Sequence, residues 1–240
     1  MVIWKQKLRR LDALLLFLCW IAALAWLIVS ERYRFFLRPG FEYLLSAACA
    51  ILIGFAAVTL FSSHFVHPPM PVRAARWTRL ALILLPLVYL IAARETTLGS
   101  YAFKNRSANL GALANIRAKR TLEEIGKDRT LTPLEILQYF KEFEGEKIAT
   151  EGMVYKGEDV PDQHFLVFRF LMICCAADAL PAGTLVAFED VQLFENDTWV
   201  KVEGILSLKV IGDLVFPHIQ AEKVTPIDLP MSPYLIPSFS

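Results

Sequence analysis

Cysteine is scarce, with four residues in 240, too few and too irregularly placed to staple a chain of this size with disulfides. Cys19 and Cys49 lie inside apolar runs, where a thiol behaves as a small buried hydrophobe, so only Cys174 and Cys175 bear on chemistry. An excess of charge of one sign is missing too: 25 Lys and Arg against 24 Asp and Glu leave a net charge of +1, which gives no bias toward nucleic acid or an acidic ligand. Charged residues make up only 20% of the chain, which excludes intrinsic disorder and an extended coiled coil. No glycine-rich phosphate loop, no His-Glu-x-x-His pattern and no Ser/His/Asp spacing that suits a hydrolase occurs.

What the chain has in excess is apolar surface. Hydrophobic residues are 55% of it and the mean hydropathy is +0.44, above the usual soluble range, so the protein divides into a membrane part and a globule. The apolar residues concentrate in three runs, at about 11–29, 41–61 and 77–93. At ~1.5 Å rise per residue, a run of ~20 residues crosses the ~30 Å hydrocarbon core of a lipid bilayer. The first two runs carry no charge beyond Asp12 and Glu42 at their edges, and the third is shorter and contains Pro86, which a transmembrane helix tolerates. Lys5, Lys7, Arg9 and Arg10 imitate the start of a signal peptide, but the first run is too long for one and leads into a second span, so a retained helix is expected. Lys and Arg in the flanking segments favour a cytoplasmic N-terminus by a small margin. Three spans then make a multi-pass cell-membrane protein whose C-terminal domain, after Ala93, is extracytoplasmic.

Between the second and third runs stands Ser62-Ser63-His64-Phe65-Val66-His67-Pro68-Pro69. His64 and His67 would share a helix face and offer imidazole to zinc or copper, but the prolines end any helix there and no acidic residue or cysteine is near, so an ordinary interfacial loop is the stronger reading.

Residues 96–130 are rich in Lys, Arg, Asn and Glu and predict a linker with some helical content. Thr132-Pro133-Leu134-Glu135 then has the pattern of a capping box with proline in the first turn. Leu134, Ile136, Leu137, Tyr139 and Phe140 extend it into an amphipathic helix to about Phe143, stopped at Gly145. From Lys147 the apolar period becomes two, giving strands at 148–154, 165–172, 184–188, 199–208 and 218–227 with turn signals between them, including Pro181-Ala182-Gly183. A sheet this small has two bare edges unless it closes. The expected fold class is therefore a membrane α-helical N-terminal part of three spans, then an all-β C-terminal domain over 131–228, an OB-like five-stranded barrel with a preceding helix; a small open sandwich is the alternative. Residues 229–240 form a Pro-rich tail that packs on the barrel or on a partner.

Barrels of this kind often bind nucleic acid, which requires a basic groove with aromatic platforms. Here Lys147, Lys156, Arg169, Lys201, Lys209 and Lys223 are outnumbered by acidic residues that include Glu151, Glu158, Asp159, Asp162, Glu189, Asp190, Glu195 and Asp197, so no nucleic-acid partner is expected. Phe168, Phe170 and Trp199 read as core.

One stretch carries chemistry: Arg169-Phe170-Leu171-Met172-Ile173-Cys174-Cys175-Ala176-Ala177-Asp178-Ala179. Adjacent residues of an extended strand face opposite ways, so both thiols meet one ion only if the backbone turns, which Ala-Ala-Asp-Ala-Leu-Pro permits. Asp178 offers a third ligand, and His164 or His218 a nitrogen if the fold brings either near. Three other readings compete: a vicinal disulfide used as a redox pair, a catalytic thiolate, and a pair with no chemical role.

The order of parts resembles the YcgQ-like family of bacterial permease subunits. The resemblance rests on Arg169-Phe170-x-x-x-Cys174-Cys175-x-Ala177-Asp178-Ala179, on Trp199-Val200-Lys201-Val202-Glu203-Gly204 and on Pro233-Tyr234-x-x-Pro237, behind N-terminal spans and a linker. It implies a non-enzymatic accessory protein that works beside a larger multi-spanning permease subunit, with the family's Cys-Cys-x-Ala-Asp motif falling on Cys174, Cys175, Ala177 and Asp178. Thiol ligands would select Zn(II) or Cu(I) over Mg(II) and Ca(II), so handling of a transition metal is the function expected of the motif. A thiol-redox membrane protein and a purely structural assembly factor are the rivals.

Overall fold

The computed structural model describes residues 2–61, 81, 83–86, 88, 98–106, 116–211 and 214–237. It divides into two units, Met1–Thr96 and Thr97–Ser240.

The first unit contains α1 (Val2–Val29) and α2 (Glu42–Phe61). Within them Leu11–Val29 and Glu42–Phe61 have a mean hydropathy of 2.4 each, long and apolar enough to cross a membrane. Only 6% of either stretch is buried by protein, unlike the core helix of a soluble globule, which is compatible with insertion in a membrane. Phe17 and Phe55 stack at 6.3 Å between the two helices. Glu42 starts α2: its Oε2 accepts from the Gly40 amide at 2.8 Å and from the Tyr33 hydroxyl at 3.0 Å, satisfying donors at the helix entry. His64 and His67 lie outside the described residues, as does the expected span at 77–93 except for residues 81, 83–86 and 88.

The second unit is a closed barrel of β1 (Lys147–Tyr155), β2 (His164–Leu171), β3 (Leu180–Ala187), β4 (Trp199–Ile211) and β5 (Leu214–Pro226). The order around it is β1-β2-β3-β5-β4, which removes the bare edges, as the OB-like expectation required. All pairs are antiparallel except β3 with β5, which meet at Leu185↔His218. Alternation along the strands sends Ile148, Val154, Phe165, Val167, Val186, Val200, Val202, Leu206 and Ile219 into one core. Phe168 and Phe170 of β2 turn the other way into a second cluster with Met153, Tyr155, Trp199 and Tyr234. Burial on both faces is why β2 reads as an almost unbroken apolar run.

Three boundaries differ from the sequence expectation. Within 96–130 the chain forms α3 (Ser100–Arg106) and α4 (Leu122–Asp128), and Phe103 and Ile125 are buried at 4% and 0% exposure, so part of that stretch belongs to the barrel unit. The helix α5 (Pro133–Tyr139) stops short of Phe143, because the chain turns there, reaches a positive φ of 79° at Gly145 and drives Phe143 into the core. Strand β3 begins four residues early and includes the Pro-Ala-Gly stretch read as a turn. Pro181 pairs with Phe170 on one side, while β5 joins the other side only from Leu185, so its missing N–H faces no strand partner.

The capping box at α5 forms as read: Glu135 N donates to Thr132 Oγ1 at 3.3 Å and Thr132 N to Glu135 Oε2 at 2.7 Å. Arg120 closes on the same buried carboxylate through Nε at 2.9 Å and Nη2 at 2.6 Å, leaving no uncompensated charge. The Pro-rich tail docks on the barrel. Leu235 forms a parallel bridge to Leu171, with Met172 N donating to Leu235 O and Leu235 N to Phe170 O, both at 2.8 Å. Arg169 holds the preceding turn through the carbonyls of Ser232 and Pro233 while lying over the Trp199 ring at 5.6 Å.

Candidate metal centre in the vicinal-cysteine loop

Beyond Leu171 the chain leaves the barrel, passes Ile173, Cys174 and Cys175, curls through a 3₁₀ turn at Ala176–Asp178 and re-enters as β3. Asp178 makes this curl. Its Oδ1 accepts from Ile173 N at 3.0 Å and its Oδ2 from Cys174 N at 2.7 Å and Cys175 N at 3.2 Å, while its own N–H donates to Cys175 O at 3.1 Å. Folding three successive amides around one carboxylate overrides the opposite-face rule of an extended strand. The Cys174 and Cys175 sulfurs therefore lie 3.7 Å apart, and the two thiols and the Asp178 carboxylate offer ligand atoms all within 4.8 Å of one another. Cys174 is exposed, and Cys175 and Asp178 are half-buried, so the group opens to solvent.

The electrostatics of the loop follow from this crowding. Its hydrogen bond to Asp178, and then the neighbouring Cys175, push the Cys174 thiol up to about 12. Burial pulls Asp178 upward, but the Cys174 thiol and the three amides outweigh it and hold the carboxyl below its ordinary range. The shift disfavours the Cys174 thiolate, opposite in direction to the shift that activates a nucleophilic cysteine. A cation held between the three groups would invert that preference, since it would stabilise the thiolates that the carboxylate disfavours.

The two histidines are not at this loop. His164 opens β2 and Cys174 follows its far end, so the strand's eight residues, at ~3.3 Å each, hold them roughly 25 Å apart. The fold instead brings His164 to His218, with ring centres 5.5 Å apart. Lys209 Nζ is 2.7 Å from His164 Nε2, and Ser207 Oγ is 3.1 Å from His218 Nδ1. Burial, then Lys209 and His164, drive His218 down to about 4, so it is neutral in the native protein at pH 7. Its ordinary value is 6.5, so between these limits the unfolded chain binds a proton that the folded one refuses, and stability falls as pH falls. We expect the barrel's unfolding midpoint to drop on acidification through that window and the drop to shrink in His218→Gln, as measured by melts across pH.

Two apolar helices followed by a closed five-stranded barrel with a vicinal thiol pair at its surface define a protein with a membrane-type helical part and a folded β domain. The family model of the DUF1980 C-terminal domain matches residues 112–237, more than half of the chain, and the chain belongs to that family. It is also similar to UPF0703 protein YcgQ of Bacillus subtilis strain 168, at 29% identity over 106 residues. That match covers 43% of this chain and 37% of the relative, so the chain spans little more than a third of the relative's length. The match agrees with the YcgQ-like resemblance, and neither description names a reaction, a ligand or a partner.

Proposed function

We propose that this protein is a non-enzymatic membrane accessory subunit whose barrel binds a soft transition-metal cation at Cys174, Cys175 and Asp178. The observation that carries the reading is the convergence of two thiols and a carboxylate within 4.8 Å on an exposed loop. Two sulfurs and one oxygen suit Zn(II) or Cu(I), and three protein ligands leave a fourth position open for exchange. An open, solvent-facing site fits capture and hand-over better than a closed structural one. A larger permease subunit, the partner implied by the YcgQ-like resemblance, would receive or deliver the ion. Taken together with a third span at 77–93, the charge bias of the flanking segments supports a barrel on the extracytoplasmic side.

The test is metal analysis of the full-length protein, purified in detergent under reducing conditions without chelator. About one equivalent of zinc or copper is expected, with Cys174 and Cys175 resisting alkylation until chelator is added. Metal-free protein whose two loop thiols react at once, and which takes up neither ion when titrated, would sink the reading. In a parallel preparation without reductant, a thiol pair that labels only after reductant is added would support the redox rival instead.

A further inference from the structure

The thiol loop is held from two sides, and the second side comes from an element that the sequence did not connect with it. Asp178 grips the amides of Ile173, Cys174 and Cys175. The carbonyls of the same loop are gripped by Arg106, the last residue of α3, whose Nη1 donates to Ala176 O at 2.9 Å and to Ala179 O at 3.0 Å. These carbonyls stand at the first residue of the 3₁₀ turn and just past its last, so one guanidinium nitrogen spans the turn that makes the two sulfurs converge.

The helix carrying Arg106 is anchored independently of the loop. Ser100 at its start donates through N to Asp197 Oδ1 at 2.5 Å and through Oγ to Oδ2 at 3.1 Å. The backbone at Gly99 comes close to the same carboxylate: a side-chain carbon there would fall 2.8 Å from Asp197 Oδ1, so Asp197 would have to shift. In mid-helix, Phe103 packs between Tyr155 at 4.7 Å and Phe168 at 4.5 Å. Just before the helix, Leu98 N donates to the buried Tyr234 hydroxyl at 3.3 Å. All of α3 lies before residue 112, where the family match begins, so this clamp lies outside the matched domain.

We propose that Arg106 is a positioning residue for the thiol loop, and that the site at Cys174 and Cys175 is complete only while α3 is docked on the barrel; this rests on the cation-binding reading above. A ligand loop pinned at its carbonyls presents both sulfurs in one arrangement before the ion arrives. Freed from Arg106, the turn relaxes and the thiols bind as a loose pair. Partners that orient metal ligands from outside their coordination sphere are worth about tenfold to a hundredfold in affinity.

The experiment compares full-length wild type with Arg106→Met and Arg106→Lys in detergent, under reducing conditions, by Co(II) absorption and Zn(II) competition. Arg106→Met keeps an unbranched stem without the guanidinium donors; Arg106→Lys keeps a cation that can hold the carbonyls only in part. The expected result is about a tenfold or greater loss of affinity in Arg106→Met with a changed thiolate-to-cobalt band, and an intermediate loss in Arg106→Lys. If wild type binds and both variants match it in affinity and band, the clamp has no positioning role and the inference is overturned while the cation-binding reading stands. If wild type binds neither ion, that reading fails and this one with it. Should Arg106→Met not accumulate as folded protein, judged by strand circular dichroism, Arg106→Lys decides the question by the same two readouts.

Discussion

Replacing both loop cysteines, Cys174→Ser with Cys175→Ser, is expected to abolish stoichiometric zinc or copper binding while leaving the barrel folded. Two of the three proposed ligands disappear, so the loss should exceed about a hundredfold, the upper end of what removing an outer-shell partner costs. The fold should be indifferent because neither sulfur belongs to a core cluster: Cys174 is exposed, Cys175 is half-buried, and serine keeps the backbone that Asp178 and Arg106 hold. Asp178→Ala is the informative contrast. It removes one ligand and also releases three amides at 3.2 Å or less, so it should weaken binding and loosen the loop together. Calorimetric titration with zinc, alongside a melt of each variant, separates the two effects. A double serine variant that still takes up one equivalent with unchanged affinity would move the site elsewhere in the chain.

Features fixed by neighbouring residues were legible in the sequence, and those fixed by distant contacts were not. The capping box at Thr132 and Glu135 is a matter of four consecutive residues, and it forms as read. The change to period two at Lys147 depends on alternation within each strand, and all five strands stand close to where the pattern put them. Pro181-Ala182-Gly183 misled because local turn chemistry lost to tertiary pairing, at a place where β3 has a strand on one side only. The loop's inward turn was legible as a need, since two adjacent thiols converge only if the backbone curls, but Asp178 as the agent of the curl required coordinates. Separation of His164 from Cys174 could have been read, because both flank one strand and a strand holds its ends apart. The tail docking through Arg169 joins residues 64 apart, and the Arg106 clamp joins residues 70 apart, and no local pattern encodes either.

Gly204→Ala should be the most damaging of the single-methyl changes in the barrel, costing about 3 kcal/mol, the upper end of overpacking penalties. Gly204 closes the Trp-Val-x-Val-x-Gly stretch of β4 and is paired on both sides, with Ile148 of β1 and Ala221 of β5. The register of β4 against β5 shifts between Glu203 and Gly204, from Lys223 to Ala221, so one residue of β5 is left over and the sheet bends sharply there. That bend brings the strands too close for a side chain: a methyl at Gly204 would press on the Gln220 carbonyl and lie 2.8 Å from Ala221 Cα. Both obstacles are backbone, so relief requires moving β5, which carries Ile219 into the barrel core and His218 into its contact with Leu185 of β3. Gly126→Ala provides the opposite sign in the same domain. Gly126 sits exposed within α4 with nothing inside 4 Å of the added methyl, so the change should stabilise by roughly 0.5–1 kcal/mol through helix propensity alone. Guanidinium unfolding of the full-length protein, followed by the strand signal in circular dichroism, measures both; equal midpoints for the two variants would show that the close backbone approach at Gly204 does not exclude a side chain.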